Sequence, residues 1–187
     1  MKKRDIYLCK MKEDLVMKVL GEKSLSSKVI VGLNILFIII SIIDIVVLSI
    51  IIKVVGHIAM NENIQNNIFD LTFFIMIIIT GIIALYIIYQ FIKIFKNLKS
   101  NILFSEDNAK RLNIVSRCCF IISILYLIIA IFTFLIMGKL MEAFIYYVFA
   151  FSIMLMVIFA VAGIGIKILG EIYKKAIEYK EENDFTI

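Results

Sequence analysis

The residue best placed to do chemistry in this sequence is Asp44, an acid inside a long apolar run. It is the only Asp, Glu, Lys or Arg among residues 29–52. A carboxylate in a lipid interior costs about 2.5–3.5 kcal/mol on insertion scales, so an acid there is a candidate functional site. No Lys, Arg or His lies in the apolar runs to pair with Asp44. Desolvation therefore favours its protonated form.

Hydroxyl side chains fall at similar depths in the other three apolar runs, at Thr80, Thr133 and Ser152. Measured outward from the midpoint of each run, these residues and Asp44 span about 5 Å, at about 1.5 Å per helical residue. We therefore predict one polar layer across four helices. Three uses fit this layer: a neutral Asp44 hydrogen-bonded to the hydroxyls, coupling to protons or cations, and binding of a basic or polar ligand.

The remaining reactive side chains do not form a pattern typical of an enzyme. His57 is the only histidine, and it lies near a single acid, Glu62, which makes a poor metal site. Adjacent Cys118 and Cys119 lack the spacing of a zinc or thioredoxin motif. The sequence shows no nucleophile–base constellation and no glycine-rich phosphate loop. We expect a non-enzymatic protein with no cofactor and no metal.

Four apolar runs must position the polar layer, and each is long enough to cross a membrane. Of the 187 residues, 63% are apolar, more than the surface of a soluble domain of this size allows. At about 1.5 Å per residue, 21 to 24 helical residues span roughly 30 Å of hydrocarbon. We predict an all-α integral membrane protein, a single domain over 1–187 built as a four-helix transmembrane bundle in the lipid bilayer. The predicted spans lie at about 29–52, 69–92, 118–138 and 143–166.

Basic residues predict the orientation of these spans. Residues 1–28 carry eight Lys or Arg and the 93–117 connection carries six, whereas the 53–70 and 138–143 connections carry one each. Because Lys and Arg near membrane ends stay in the cytoplasm, we expect both termini and the middle connection inside. Abundant Ile, Phe, Lys and Asn suggest an AT-rich bacterial genome. The predicted location is the bacterial cytoplasmic membrane, and no basic, aromatic patch indicates direct nucleic-acid binding.

Segments outside the spans also carry helical patterns. Residues 5–20 place apolar side chains at helical spacing among lysines. They predict an amphipathic helix lying on the inner leaflet, or else a docking helix for a cytoplasmic partner. Ser105 is a suitable N-cap for a helix that runs into span 3. Residues 167–187 are predicted as a cytoplasmic tail, and the helix of span 4 is predicted to emerge into the cytoplasm after Lys167.

Small residues in span 4 predict close helix packing. Ala160 and Gly163, and likewise Ala162 and Gly165, are three residues apart, and small side chains allow helices to approach closely in lipid. Because the GxxxG spacing is absent, packing within one chain is the favoured use. A homo-oligomer is the alternative.

Two segments resemble a known family. Residues 103–112 read Leu-Phe-Ser-Glu-Asp-Asn-Ala-Lys-Arg-Leu, and residues 180–187 read Lys-Glu-Glu-Asn-Asp-Phe-Thr-Ile. Both resemble the bacterial four-span membrane proteins catalogued as domain of unknown function 2975. In that family a Phe, an acid and an Asn open the third helical segment, and Asp-x-Thr-Ile closes the chain. The matching positions are Phe104, Glu106, Asn108, Leu112, Glu182, Asp184, Thr186 and Ile187.

The resemblance implies a cytoplasmic partner but no reaction. Genes of the family often neighbour small helix-turn-helix regulators, so it implies that such a regulator binds the cytoplasmic face. Alternatively, the start of the helix at 105–112 accepts the acidic tail of the same chain. The candidate docking residues are Phe104, Glu106, Asn108, Lys110, Arg111, Glu182, Asp184 and Thr186.

Three functions are consistent with these patterns. The favoured one is a regulatory or sensory membrane protein that acts through its cytoplasmic face. The alternative is a small proton- or cation-coupled transporter or tolerance factor that uses the layer around Asp44. The absence of Pro and of broken-helix pairs argues mildly against a transporter. A purely structural role is the third.

Overall fold

A computed structural model describes residues 25–60, 64–100, 105–137 and 143–184. These residues form four helices: α1 (Leu25–Met60), α2 (Ile64–Lys99), α3 (Glu106–Met137) and α4 (Ala143–Asp184). All four are long and apolar enough to cross a membrane. The prediction of an all-α protein with four membrane-spanning helices is therefore confirmed. The predicted interfacial helix at 5–20 lies outside the described residues.

The start of α3 is defined by a side-chain cap. The backbone N–H of Asn108 donates to Ser105 Oγ at 3.3 Å and to the Ser105 carbonyl oxygen at 3.1 Å. The acids Glu106 and Asp107 occupy the first turn, where negative charge complements the helix dipole. Ser105 is thus the N-cap that the sequence predicted.

Helix α4 is longer than the apolar run that it contains. The apolar run ends at residue 166, whereas the helix continues to Asp184. Most of the segment predicted as a tail is therefore the last 18 residues of α4, about 27 Å of additional helix.

Helices that are neighbours in sequence are neighbours in space. The pair α3 and α4 makes the most extensive contact, α1 and α2 pack as a second pair, and α2 touches α3 over a smaller area. Among the described elements, the backbone of α1 lies close to α2 only. A buried apolar cluster at the α3–α4 interface, extended by side chains of α2, consists of Ile122, Tyr126, Ile129 and Val148.

Candidate functional sites

The intramembrane acid Asp44 lies in the contact between α1 and α2. Its carboxyl group covers Gly81 so closely that a Cβ atom built on Gly81 would fall 2.5 Å from Asp44 Cγ. Real Cβ atoms essentially never approach so near another heavy atom. The absence of a side chain at Gly81 therefore creates the space in which this carboxyl group rests. Asp44 Oδ2 is buried and has no hydrogen-bond partner among the described residues.

The three hydroxyls of the predicted polar layer donate within their own helices. Thr80 Oγ1 donates to the Met76 carbonyl oxygen at 2.9 Å. Thr133 and Ser152 are both buried, and each donates to the carbonyl oxygen four residues earlier, at 2.7 Å. Thr80 lies on the helix that Asp44 contacts, whereas the other two lie on α3 and α4, which α1 does not approach within the described ranges. The predicted layer therefore does not gather around Asp44.

Tyr126 connects the centre of α3 to α2. Its phenol lies near the Thr80 side chain. Its ring stacks on Phe159 of α4, with the ring centroids 6.5 Å apart and an interplanar angle of 5°. Thr80 therefore lies near Tyr126, and the next residue of α2 is Gly81, which contacts Asp44.

A second site lies where three helices continue beyond the apolar runs. We call this part the stem; it comprises residues 93–99 of α2, the N-cap Ser105 with residues 106–117 of α3, and residues 167–184 of α4. Arg111 joins α3 to α2, because its Nη1 donates to Gln90 Oε1 of α2 at 2.8 Å. Its Nε donates to Asp107 Oδ2 of its own helix at 2.9 Å. Gln90 is only 4% exposed, so its carbonyl oxygen depends on this bond.

Asn97 extends the same network. Its Nδ2 donates to Asn108 Oδ1 at 2.8 Å and to Asp107 Oδ2 at 3.3 Å. Asn108 is fully buried, so this bond satisfies an interior polar group. The hydrogen bond from Arg111 holds the pKa of Asp107 below its ordinary value, which keeps this carboxylate ionised at neutral pH. Asp107 is outside the apolar run of α3. The network fixes α3 to α2 at the base of the stem.

The contact between α3 and α4 runs from the membrane into the stem. Ser116 Oγ donates to the Gly163 carbonyl oxygen at 2.8 Å, and Ser123 Oγ donates to that of Met156 at 3.0 Å. A Cβ atom on Gly163 would lie 3.3 Å from Cys119 Cβ, so the two helices touch there. Gly163 thus packs within the chain, as predicted, whereas Gly165 has no neighbouring atom within 4 Å in the described part of the chain.

The far end of the stem contains an amphipathic groove of about 310 Å³ between α3 and α4. Ala109 and Ile177 form its buried floor. Its rim is charged and comprises Glu106, Lys110, Lys174, Glu178 and Glu181. Glu106 and Lys110 form an exposed ion pair at 2.9 Å. An apolar floor with charges of both signs at its edge is chemistry that suits a protein segment.

The predicted docking residues fall into three groups. Asn108 and Arg111 belong to the internal network, whereas Glu106 and Lys110 line the groove. Glu182 is exposed on α4. Phe104, Thr186 and the side chain of Asp184 lie outside the described residues. The side of α4 that carries Glu178 and Glu181 of the acidic stretch packs along the start of α3. Within the described ranges, no three His, Cys, Asp or Glu side chains gather as a metal site.

Comparison with known proteins decides the family. The model of a family described as a protein of unknown function, DUF2975, matches residues 27–187. The chain belongs to this family. The match includes both segments on which the resemblance rested, so that prediction is confirmed. No curated protein and no solved structure matches the chain.

In this DUF2975 member, several buried contacts involve residues that sequence reasoning did not select. Gln90 lies inside the predicted second span, and the rule that selected Asp44 could also have selected this buried amide. Gly81 gave no signal, because an isolated glycine in an apolar run does not reveal which side chain covers it. Asn97 and Ser116 are isolated polar residues whose partners lie on other helices, so their spacing along the chain does not single them out.

Proposed function

We propose that this protein is a non-enzymatic regulatory or sensory membrane protein that binds a protein partner through its stem. The observation that carries the proposal is that the stem is continuous with three membrane-spanning helices and is fastened by a buried polar network. A stem built in this way holds a docking surface at a fixed position relative to the membrane.

The groove between α3 and α4 is the surface best suited to the partner. It combines apolar Ile177 with charged Lys174 and Glu178, and the side chain of Glu178 is exposed. A buried apolar floor within a polar rim is typical of protein interfaces. The excess of basic residues on this side of the membrane supports a cytoplasmic partner, and a helix-turn-helix regulator is the class that the family implies.

The alternative, a proton- or cation-coupled transporter, is less well supported. It requires a polar path through the bundle, whereas the hydroxyls of Thr133 and Ser152 are used within their own helices. A flux assay in proteoliposomes, with Asp44→Asn as the variant, would test that alternative directly.

The proposed docking is tested by photo-crosslinking from two positions of α4. A photoreactive phenylalanine analogue replaces Glu178 at the groove or Tyr147 near the other end of the helix, in cells that produce the full chain. Both side chains are exposed, so both analogues are accessible. We expect a soluble protein of one defined mass to be captured from position 178 only, and its identity is read by mass spectrometry.

Charge reversal at the groove provides the control. The double substitution Lys174→Glu and Lys110→Glu should abolish the position-178 adduct while membrane insertion is unchanged. The proposal is wrong if positions 178 and 147 capture the same set of proteins, or if only lipid adducts form at 178.

A further inference from the structure

The contact surface between α1 and α2, which we call the seam, is narrow. Among the described elements, α1 packs on α2 alone. Between residues 25 and 56, Val47 is the only apolar side chain that is buried. Asp44 lies one helical turn before Val47, on the same face. The acid therefore occupies the middle of the contact that keeps the two helices together.

The fit between Asp44 and Gly81 closes one oxygen of the carboxyl group to water. The carboxyl group rests directly on the glycine, with Oδ2 buried and unpartnered within the described part of the chain. A charged carboxylate needs hydrogen-bond donors or water, whereas a neutral carboxyl group tolerates such a contact far better. The packed arrangement is thus compatible with the protonated acid.

Nearby charges do not offset this preference. On α1, the closest charged residue along the chain is Lys53, nine residues from Asp44 and about 14 Å along the axis. On α2, Asp70 and Lys93 lie eleven and twelve residues from Gly81, about 16–18 Å away, and the nearest titratable residue is Tyr86. The Thr80 hydroxyl already donates to Met76.

We propose that Asp44 is a proton-binding site and that its protonation controls the packing of α1 against α2. The neutral acid packs on Gly81. The ionised acid leaves the seam to reach water or lipid headgroups, and because the seam is narrow, α1 moves with it. The ligand is a proton, and the O–H bond of the carboxyl group is the only bond of the protein that is formed or broken. The proposal concerns the membrane-spanning part and holds with or without a partner on the stem.

The first test detects the proton. Infrared difference spectra of the full chain in lipid nanodiscs are recorded from about pH 4 to about pH 9, the range over which protein carboxyl groups titrate. We expect a protonated-carboxyl band that is lost as the pH rises and that is absent from Asp44→Asn. Absence of any such titrating band would overturn the proposal.

The second test detects the movement. Spin labels are attached through Ile52→Cys and Ile75→Cys, which lie on exposed positions of α1 and α2, in a chain whose own cysteines are replaced. We expect the distance between the labels to lengthen by several ångströms with the same midpoint as the infrared band. A distance that stays constant while the band titrates would contradict the coupling.

Two variants and a matched control separate the proton from general disruption. Asp44→Asn should keep the short distance at every pH, because an amide resembles the neutral acid. Gly81→Ala should remove the pH dependence, because its methyl group takes the place of the carboxyl group. Gly56→Ala adds the same methyl group to a position with no described atom within 4 Å and should behave as the unaltered chain. A pH response that persists in Asp44→Asn or Gly81→Ala would refute the assignment.

Discussion

At the scale of single residues, Arg111 has the clearest task, because it satisfies a buried amide on another helix. Replacing Arg111 with Ala leaves Gln90 Oε1 without the bond that now measures 2.8 Å. A buried acceptor left in this way costs about 1–3 kcal/mol. We expect a decrease of this size in the free energy of unfolding, measured by titrating a denaturing detergent into mixed micelles that contain the protein.

Lys110 is the matched control for Arg111. It also forms an ion pair with an acid of the first turn of α3, but 68% of its side chain and 72% of that of Glu106 are exposed. Exposed pairs contribute little, since solvent screens them. Lys110→Ala should therefore leave the unfolding midpoint nearly unchanged. Equal effects of Lys110→Ala and Arg111→Ala would show that the buried network is not what stabilises the stem.

Two glycines of α4 differ in the space around them and predict opposite outcomes. Gly163→Leu pushes a side chain into Cys119, whose Cβ lies 3.3 Å from the position of the new Cβ, whereas Gly165→Leu projects into open space. Overpacking typically costs about 1–3 kcal/mol, and replacing a helical glycine at an open site gains up to about 1 kcal/mol. Thermal denaturation in detergent should rank Gly165→Leu above the unaltered chain and Gly163→Leu below it.

Sequence reasoning at this scale found the residue but not its neighbour. Depth along a helix follows from counting residues, so Asp44, Thr80, Thr133 and Ser152 could be placed near one level. Rotation about the helix axis decides which side chains meet, and four uniformly apolar runs carry little rotational information. The contact of Asp44 with Gly81 depends on that rotation and so required the structure.

At the scale of elements, α4 is one continuous helix from Ala143 to Asp184 and extends far beyond the apolar run of span 4. Hydropathy marks where a helix leaves lipid, not where it ends, and the Lys, Glu and Ile residues of 167–182 have adequate helix propensity. Burial of Ile177 against Ala109 adds tertiary support. We expect amide hydrogen exchange to be slow from residue 167 to about residue 177 and to become fast only near the end of the helix.

A break in that helix would give a different exchange pattern. Gly170 packs against α3, since a Cβ atom placed on it would lie 3.4 Å from Asn113 Oδ1, so a loosened stem should expose it early. Uniformly fast exchange from residue 167 onward would mean that the stem is an unstructured tail, and would remove the proposed docking surface.

At the scale of the whole molecule, the first and last helices, α1 and α4, differ in how firmly they pack against their neighbours. Helix α4 is fastened to α3 by hydrogen bonds and close packing, whereas α1 meets α2 along a narrow seam and exposes most of its apolar side chains. Lipid is the expected cover for those side chains. The four spans could be predicted from hydropathy. The unequal support of α1 and α4 depends on side-chain fit and could not be predicted from composition.

Orientation is the point on which the proposed function most depends, since a cytoplasmic partner requires a cytoplasmic stem. The direct measurement is thiol labelling in living cells. A single cysteine replaces either Glu181 on the stem or Lys53 near the opposite membrane face, in a chain whose own cysteines have been replaced. We predict that an impermeant thiol reagent labels position 53 in intact cells and position 181 only after the membrane is permeabilised. Labelling of position 181 in intact cells would place the stem outside and contradict the account.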